Sequence, residues 1–208
     1  MFRLDGLYLR NLEKFVGKKI PMRELKNGIE FGKDPEVQQR WIEKSKNHYA
    51  FQIIERGQLS WEDEYNNISL TEMKRKLAIR LQGSFGKSID FAKTSEFREI
   101  LNNDLEKVEQ LMKKYVGEGF YSINNPQIDK INLESLEANL YNIYLLHDDG
   151  ERSYREQKAK EPFAFARFYN SAISLKERLK RIDEYQKVFN DRLTKNEIEE
   201  ILFNKAQV

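Results

Sequence analysis

The chain has no cysteine among its 208 residues. Disulfide bonds, thiolate nucleophiles and cysteine-ligated metal sites are therefore excluded. No stretch approaches the roughly eighteen consecutive apolar residues that a membrane-spanning helix needs. The amino terminus, "MFRLDGLYLR", has charged residues where a secretion signal would have its apolar core. We therefore expect a protein of the cytoplasm, with no membrane partner.

Glycine and proline are also scarce, with ten and four residues respectively. Hydrophobic residues make up 39% of the chain and charged residues 34%, a composition typical of helices with solvated faces. The 36 basic residues nearly balance the 34 acidic ones, so the bulk charge is not that of a strongly basic nucleic-acid-binding protein. A local basic surface remains compatible with this balance.

Apolar residues recur at helical spacing along most of the chain. Behind Asp34 and Pro35, which suit the start of a helix, the apolar positions 37, 41, 49 and 53 repeat before Gly57. This pattern predicts a helix over residues 34–57. The same reasoning predicts helices over residues 9–16, 70–83, 97–115, 133–147 and 174–189 and a short one after 194, with Asn102-Asn103-Asp104 as a potential break.

Four segments match the capping box, in which a serine or threonine and an acid three residues later satisfy each other's backbone amides: Ser60–Asp63, Ser69–Glu72, Ser174–Glu177 and Thr194–Glu197. Glycines such as Gly83 suit helix ends. We therefore predict an all-α protein, a helical bundle of about seven helices. Its parts would be an irregular or hairpin arm over residues 1–33, a bundle core over 34–150 and a helical extension over 151–208.

Motifs for catalysis, metal binding or nucleotide binding are missing. His48 and His147 are the only histidines, and neither has a second ligand at helical spacing. The sequence has no GxSxG, GxxxxGK[ST] or GxGxxG motif. Asp148 and Asp149 are adjacent, so on a helix their side chains would diverge rather than face each other. We expect no metal, no cofactor and no enzymatic activity.

Two basic clusters are candidates for nucleic-acid contacts, because lysine and arginine side chains neutralise backbone phosphates. The second cluster lies near Arg167 and near aromatic residues that could stack on bases. The alternative is a solvated helix face with local ion pairs, and phenylalanines in the core. The clusters are Lys74, Arg75, Lys76 and Arg80, and then Lys176, Arg178, Lys180 and Arg181.

A family resemblance rests on three segments between Gly83 and Leu146: "GSFGKSIDFAKTSEFREIL", "GFYSINN" and "LEANLYNIYLL". In order and approximate spacing they resemble the priming part of terminal proteins, from small tailed phages that replicate DNA by protein priming. In that family, a loop between bundle helices offers a hydroxyl to a DNA polymerase, which joins the first nucleotide to it.

The resemblance implies that Phe120-Tyr121-Ser122 is the priming loop and that Ser122 carries the hydroxyl, with Tyr121 as the alternative acceptor. It also implies a DNA polymerase as partner. Acidic helix faces near the loop would then take the place of DNA phosphates in the polymerase channel. The acids that suit this role are Glu106, Glu109 and Glu118.

Two other functions remain open. One is a small phage or mobile-element interaction protein (an inhibitor, an adaptor or a virion component) that binds another protein through an apolar helix face. The other is a non-enzymatic helical protein that binds DNA or RNA through the two basic clusters.

Overall fold

The computed structural model describes residues 4–32, 34, 36–85, 95–101 and 104–203. The chain forms two compact units. Unit 1 comprises Met1–Ser88 and Asp183–Val208, and unit 2 comprises Ile89–Ile182. Within the described residues, no helix is both long enough and apolar enough to cross a membrane.

The amino-terminal part of unit 1 is a helix, an antiparallel sheet and a second helix. The five strands follow one another in the sheet in chain order, so each pairs with the next through a hairpin. The elements are α1 (Gly6–Val16), β1 (Met22–Leu25), β2 (Gly28–Phe31), β3 (Val37–Ser45), β4 (His48–Glu55), β5 (Gln58–Asn66) and α2 (Leu70–Phe85).

Unit 2 contains a four-stranded sheet in which β6 and β7 are parallel and the other neighbours antiparallel. Its long helix, α5, belongs to unit 2 as far as Ile182 and to unit 1 beyond it. The remaining elements are α3 (Ser95–Leu101), α4 (Leu105–Tyr115), β6 (Tyr121–Ile123), β7 (Ile131–Ser135), β8 (Leu140–Leu146), β9 (Arg152–Lys160), α5 (Phe163–Phe189) and, in unit 1, α6 (Lys195–Phe203).

The prediction of an all-α helical bundle is wrong, because the described residues form nine strands as well as six α-helices. The helix predicted over residues 34–57 is the β3–β4 hairpin, in which Trp41 lies opposite Phe51. Gly57 does not end a helix. Together with Arg56 it forms the turn between β4 and β5, and both residues have positive φ, 79° and 49°. Positive φ at both central residues is the type I′ geometry that matches the twist of a hairpin.

The helix predicted over residues 133–147 is also wrong. These residues belong to β7 and β8, and the polar segment read as a connector is β9. The Ser60–Asp63 capping box lies inside β5, and Ser174 lies inside α5, which begins at Phe163. The sequence-based boundary after residue 150 falls in the turn between β8 and β9, and the boundary after residue 33 falls between β2 and β3.

Several local predictions are confirmed. The Ser69 hydroxyl accepts a hydrogen bond from the Glu72 amide at 3.1 Å, at the start of α2. The potential break falls between the end of α3 at Leu101 and the start of α4 at Leu105, where Asp104 caps α4 by accepting from the Lys107 amide at 3.0 Å. At Thr194 both capping bonds form, because the Glu197 carboxylate accepts from the Thr194 amide at 2.7 Å and the Thr194 hydroxyl accepts from the Glu197 amide at 3.3 Å. For residues 1–33, the sequence left open an irregular arm or a hairpin. The structure has a hairpin there, because β1 and β2 pair in antiparallel fashion.

Each unit has its own buried core. In unit 1, Trp41 of the sheet and Leu77 of α2 are fully buried, and α1 contributes Phe15, whose ring lies 5.5 Å from that of Tyr185. In unit 2, α5 covers the sheet through aromatic contacts. The rings of Phe165 and Tyr141 are 5.3 Å apart, and those of Phe168 and Tyr121 are 5.9 Å apart.

Two glycine substitutions test this fold in opposite directions. A Cβ at Gly28 would lie 2.1 Å from the Trp41 carbonyl oxygen, so we expect Gly28→Ala to lower the free energy of unfolding by about 1–3 kcal/mol. Gly83 lies inside α2, and a Cβ there meets no heavy atom within 4 Å. We therefore expect Gly83→Ala to raise the free energy of unfolding by about 0.5–1 kcal/mol. Urea denaturation measures both. A destabilised Gly83→Ala variant would contradict a helix that continues to Phe85.

Candidate functional site

The first basic cluster lies on α2, and ion pairs within unit 1 hold two of its members. The Arg75 guanidinium makes two hydrogen bonds to the Asp191 carboxylate, from Nε at 2.7 Å and from a terminal nitrogen at 2.8 Å. The Lys74 ammonium lies 2.7 Å from Asp5 and 5.1 Å from the centre of the Tyr8 ring. These contacts fix α2 to neighbouring segments of the unit.

Arg80 is enclosed by the aromatic residues of the unit 1 sheet. Its guanidinium carbon lies 4.6 Å from the centre of the Phe51 ring and 5.0 Å from that of Trp61. The guanidinium also donates to Asp63 and to the Tyr65 hydroxyl, and only 10% of the side chain is exposed. Lys76 lies over the Tyr65 ring at 5.3 Å. The first cluster therefore contributes to the packing of unit 1 and presents little free basic surface.

The second basic cluster lies on α5, and its members point in different directions. The Lys176 ammonium donates to the Tyr115 carbonyl at 3.2 Å and lies over the Phe120 ring at 5.8 Å. Lys180 is exposed. Arg178 and Arg181 are partly buried and are separated by one helical turn, so they share a different flank of α5.

Arg178 and Arg181 meet two further arginines in unit 2. Arg167 precedes Arg178 by eleven residues, about three helical turns, and so lies on the same flank of α5. The Arg167 Nε donates to the backbone carbonyl of Arg155 in β9 at 3.2 Å. We call Arg155, Arg167, Arg178 and Arg181 the arginine cluster.

Like charges within the arginine cluster affect one another. Burial lowers the pKa of Arg155, and the neighbouring Arg167 lowers it further. Burial also lowers the pKa of Arg178, with additional contributions from Arg155 and Arg181. Arginine is effectively always protonated in proteins, so this lowering leaves Arg155 and Arg178 charged at neutral pH.

No ion pair or hydrogen bond engages the Arg155 guanidinium within the described part of the chain. Glu156 and Glu177 are close in sequence to members of the arginine cluster, but no described ion pair joins them to it. Arg75 of unit 1 shows the contrasting arrangement, because its hydrogen bond to Asp191 raises its pKa. A partly buried arginine beside two others, Arg167 and Arg178, is a site that a bound anion would stabilise.

The chemistry of the arginine cluster suits phosphate. A guanidinium group offers planar, paired N–H donors that match phosphate oxygens, and it remains charged when partly buried. Ser171 and Ser174 follow Arg167 by four and seven residues, so their hydroxyl groups lie on the same flank of α5. Hydroxyl groups are additional donors to phosphate oxygens.

Ser122 is not on a loop between helices. It lies in β6 opposite Asn132 of β7, and it is 7% exposed. Its hydroxyl donates to the Asn125 carbonyl at 2.5 Å. Tyr121, the alternative acceptor, is buried against Phe168, and burial raises its pKa. Both hydroxyl groups are therefore on residues that pack within unit 2.

The three acids named with Ser122 are exposed in unit 2. Glu106 and Glu109 lie on α4, and Glu118 lies in the turn after it. Glu118 pairs with Lys113 at 2.6 Å, and this hydrogen bond lowers the pKa of Glu118. Of the other residues in the resemblance, Gly83 to Phe85 form the end of α2, residues 86–94 lie outside the described residues, and "LEANLYNIYLL" contributes β8 rather than a helix.

The two histidines make local contacts. His48 lies 3.1 Å from a Glu64 oxygen, and His147 lies 2.7 Å from the Ser153 hydroxyl. In the part of the chain that the structure describes, no three histidine, aspartate or glutamate side chains converge as a metal site would require.

Sequence reasoning missed Arg155, whose guanidinium makes no ion pair or hydrogen bond among the described residues. The segment that contains it was read as a connector. One signal was available, because Asp149-Gly150 is a common hairpin turn and the residues on both sides have strand character. Reading β8 and β9 as a hairpin would have put Arg155 on an edge strand.

Comparison with known proteins gives no relative. No protein-family model matches the chain, and neither curated proteins nor solved structures include a significant match.

The Arg75–Asp191 ion pair predicts a pH-dependent stability. Its hydrogen bond holds the pKa of Asp191 below the ordinary value, so the ionised carboxylate stabilises the folded state above pH ~4, and this contribution is lost as pH falls through the lowered pKa. We expect Asp191→Asn to lower the free energy of unfolding by about 1–2 kcal/mol at pH 7, with a smaller difference at low pH.

Urea denaturation at several pH values measures this effect. Asp183→Asn is the matched control, because Asp183 is exposed and has no ion pair among the described residues. An Asp191→Asn loss that stays constant between pH 7 and pH 2 would show that the ion pair is not its cause.

Proposed function

We propose that this protein binds nucleic acid, with the arginine cluster of unit 2 on the phosphate backbone. The observation that carries this proposal is Arg155, a partly buried arginine surrounded by other arginines and lacking an acidic partner among the described residues. Such an arrangement costs folding free energy and is compensated when an anion binds.

The extent of the arginine cluster favours a chain of phosphates over a single small anion. Arg167 and Arg181 are fourteen residues apart on α5, which is about 21 Å at 1.5 Å per residue. Successive phosphates of one strand in B-form DNA rise by roughly 3.4 Å, so this length corresponds to about six of them. A nucleic-acid backbone can therefore contact the whole flank. Nucleic acid also agrees with the cytoplasmic location expected from the sequence.

Binding through the arginine cluster predicts a steep dependence on salt. Four phosphate contacts on a single strand correspond to a slope of about −3 in a plot of log K against log salt concentration, because each contact releases counterions. We expect the double variant Arg155→Gln/Arg178→Gln to lower affinity at least roughly tenfold and to reduce the magnitude of the slope by about 1.4. Fluorescence anisotropy with labelled oligonucleotides, over a range of salt concentrations, measures both quantities.

Arg10→Gln is the control for the loss of positive charge, because Arg10 is exposed on α1 and has no ion pair among the described residues. The stability of each variant is measured in parallel. Removing like charges from the arginine cluster should leave the thermal midpoint unchanged or raise it, whereas Arg10→Gln should alter neither stability nor binding. Equal losses of affinity in the two variants would overturn the assignment of the site.

Priming of DNA synthesis at Ser122 stays a prediction, and the geometry supports it less. The hydroxyl donates within the turn after β6, so reaching a polymerase active site would require this segment to open. Priming predicts that a protein-primed DNA polymerase with a divalent metal and labelled deoxynucleotide forms an alkali-labile adduct, and that Ser122→Ala abolishes it. Retention of the adduct in Ser122→Ala would contradict the role of this residue. The protein-interaction hypothesis likewise stays a prediction.

A further inference from the structure

An aromatic ring lies exposed at the beginning of the flank that carries the arginine cluster. Phe163 is the first residue of α5, and 58% of it is exposed. It precedes Arg167 by four residues, so the two side chains are neighbours on the helix surface. The other phenylalanines near this end of the helix, Phe165 and Phe168, are fully buried. Phe163 therefore differs from them in having most of its ring in solvent.

Among the exposed large apolar residues that the structure describes, Phe163 is the one suited to stacking. Tyr154 is also partly exposed, at 42%, but its ring contacts that of Tyr144 on the neighbouring strand, with 5.6 Å between their centres. Most other exposed large apolar side chains are aliphatic and offer no aromatic face: Leu7, Val37, Leu59, Leu70 and Ile128. An exposed aromatic ring next to arginines is the combination that binds unpaired bases and their phosphates.

We infer that the arginine cluster binds single-stranded nucleic acid, with an unpaired base stacked on Phe163 and the adjoining phosphates on Arg167 and Arg155. In a duplex the faces of the bases are covered by their neighbours, so a ring such as Phe163 gains a stacking partner only from a single strand or a strand end. This inference rests on the proposed nucleic-acid binding and specifies its substrate class.

The test compares labelled 12-nucleotide strands of oligo(dT) and oligo(rU) with a 12-base-pair DNA duplex, using fluorescence anisotropy at a fixed salt concentration. We expect both single strands to bind more tightly than the duplex, and Phe163→Ala to weaken single-strand binding roughly 5- to 100-fold. The slope of affinity against salt should not change, because Phe163 carries no charge. The difference between the two strands reports the combined effect of the 2′-hydroxyl of oligo(rU) and the 5-methyl group of oligo(dT).

Three variants separate stacking from simple hydrophobic contact. Phe163→Leu keeps an apolar side chain without an aromatic face and should bind as weakly as Phe163→Ala. Phe163→Trp should retain affinity, and a tryptophan signal at this position should be quenched on adding oligo(dT). Leu59→Ala, at an exposed apolar residue of unit 1, is the control and should bind like the wild type.

Failure of this inference differs from failure of the proposed function. Salt-dependent binding that Arg155→Gln/Arg178→Gln weakens, combined with full affinity in Phe163→Ala or with tighter binding of the duplex, overturns the single-strand inference and leaves nucleic-acid binding intact. No binding of any of the three probes at low salt overturns both.

Discussion

The packing of α5 against the β6–β9 sheet determines where the charged residues of unit 2 lie. Phe165 and Phe168 fill the sheet-facing side of the helix through contacts with Tyr141 and Tyr121. Because a helix turns every 3.6 residues, this contact fixes the orientation of all its other side chains. The arginines of α5 must then lie on a flank beside β9, where Arg155 joins them. Replacing either phenylalanine with a small residue would loosen the core and the arginine cluster together.

Partly buried arginines have different surroundings in the two units. In unit 1, Arg75 and Arg80 each have an acid within hydrogen-bond distance, and Arg80 also lies against aromatic rings. Such groups satisfy their own charge and stabilise the packing of the helix. In unit 2, the Arg155 guanidinium is also partly withdrawn from water, yet no acid pairs with it among the described residues, and the charge that lowers its pKa is that of Arg167. Structural requirements explain the first arrangement, but they provide no reason for the second. A ligand that supplies negative charge does provide one.

Helix caps, which depend on a few neighbouring residues, were predicted correctly from the sequence at Ser69 and Thr194. Apolar spacing over longer segments led to wrong predictions of helices where the structure has strands. The caps at Ser69 and Thr194 depend on residues within one turn, so the helices after them could be read directly. In the β3–β4 and β7–β8 hairpins, both faces carry apolar or long polar side chains, which obscures the alternation of a strand and leaves a spacing that also fits a helix. Arg178 and Arg181 were visible in the sequence as part of a helical basic cluster, with Arg167 near it. Arg155 was not, because only strand pairing brings it to that flank.

The near balance of acidic and basic residues concealed the basic surface. Much of the acidic charge of unit 1 is used internally, for example by Glu30 with Arg23 and Arg40, and by Glu62 with Lys44. Acids that are already paired cannot neutralise arginines elsewhere in the chain. The net charge of the protein is therefore a poor guide to the electrostatic potential at one part of its surface. What decides whether a basic residue can bind phosphate is its local pairing. By that criterion Arg75 and Arg80 are occupied, whereas the Arg155 guanidinium has no acidic partner in the part of the chain that the structure describes.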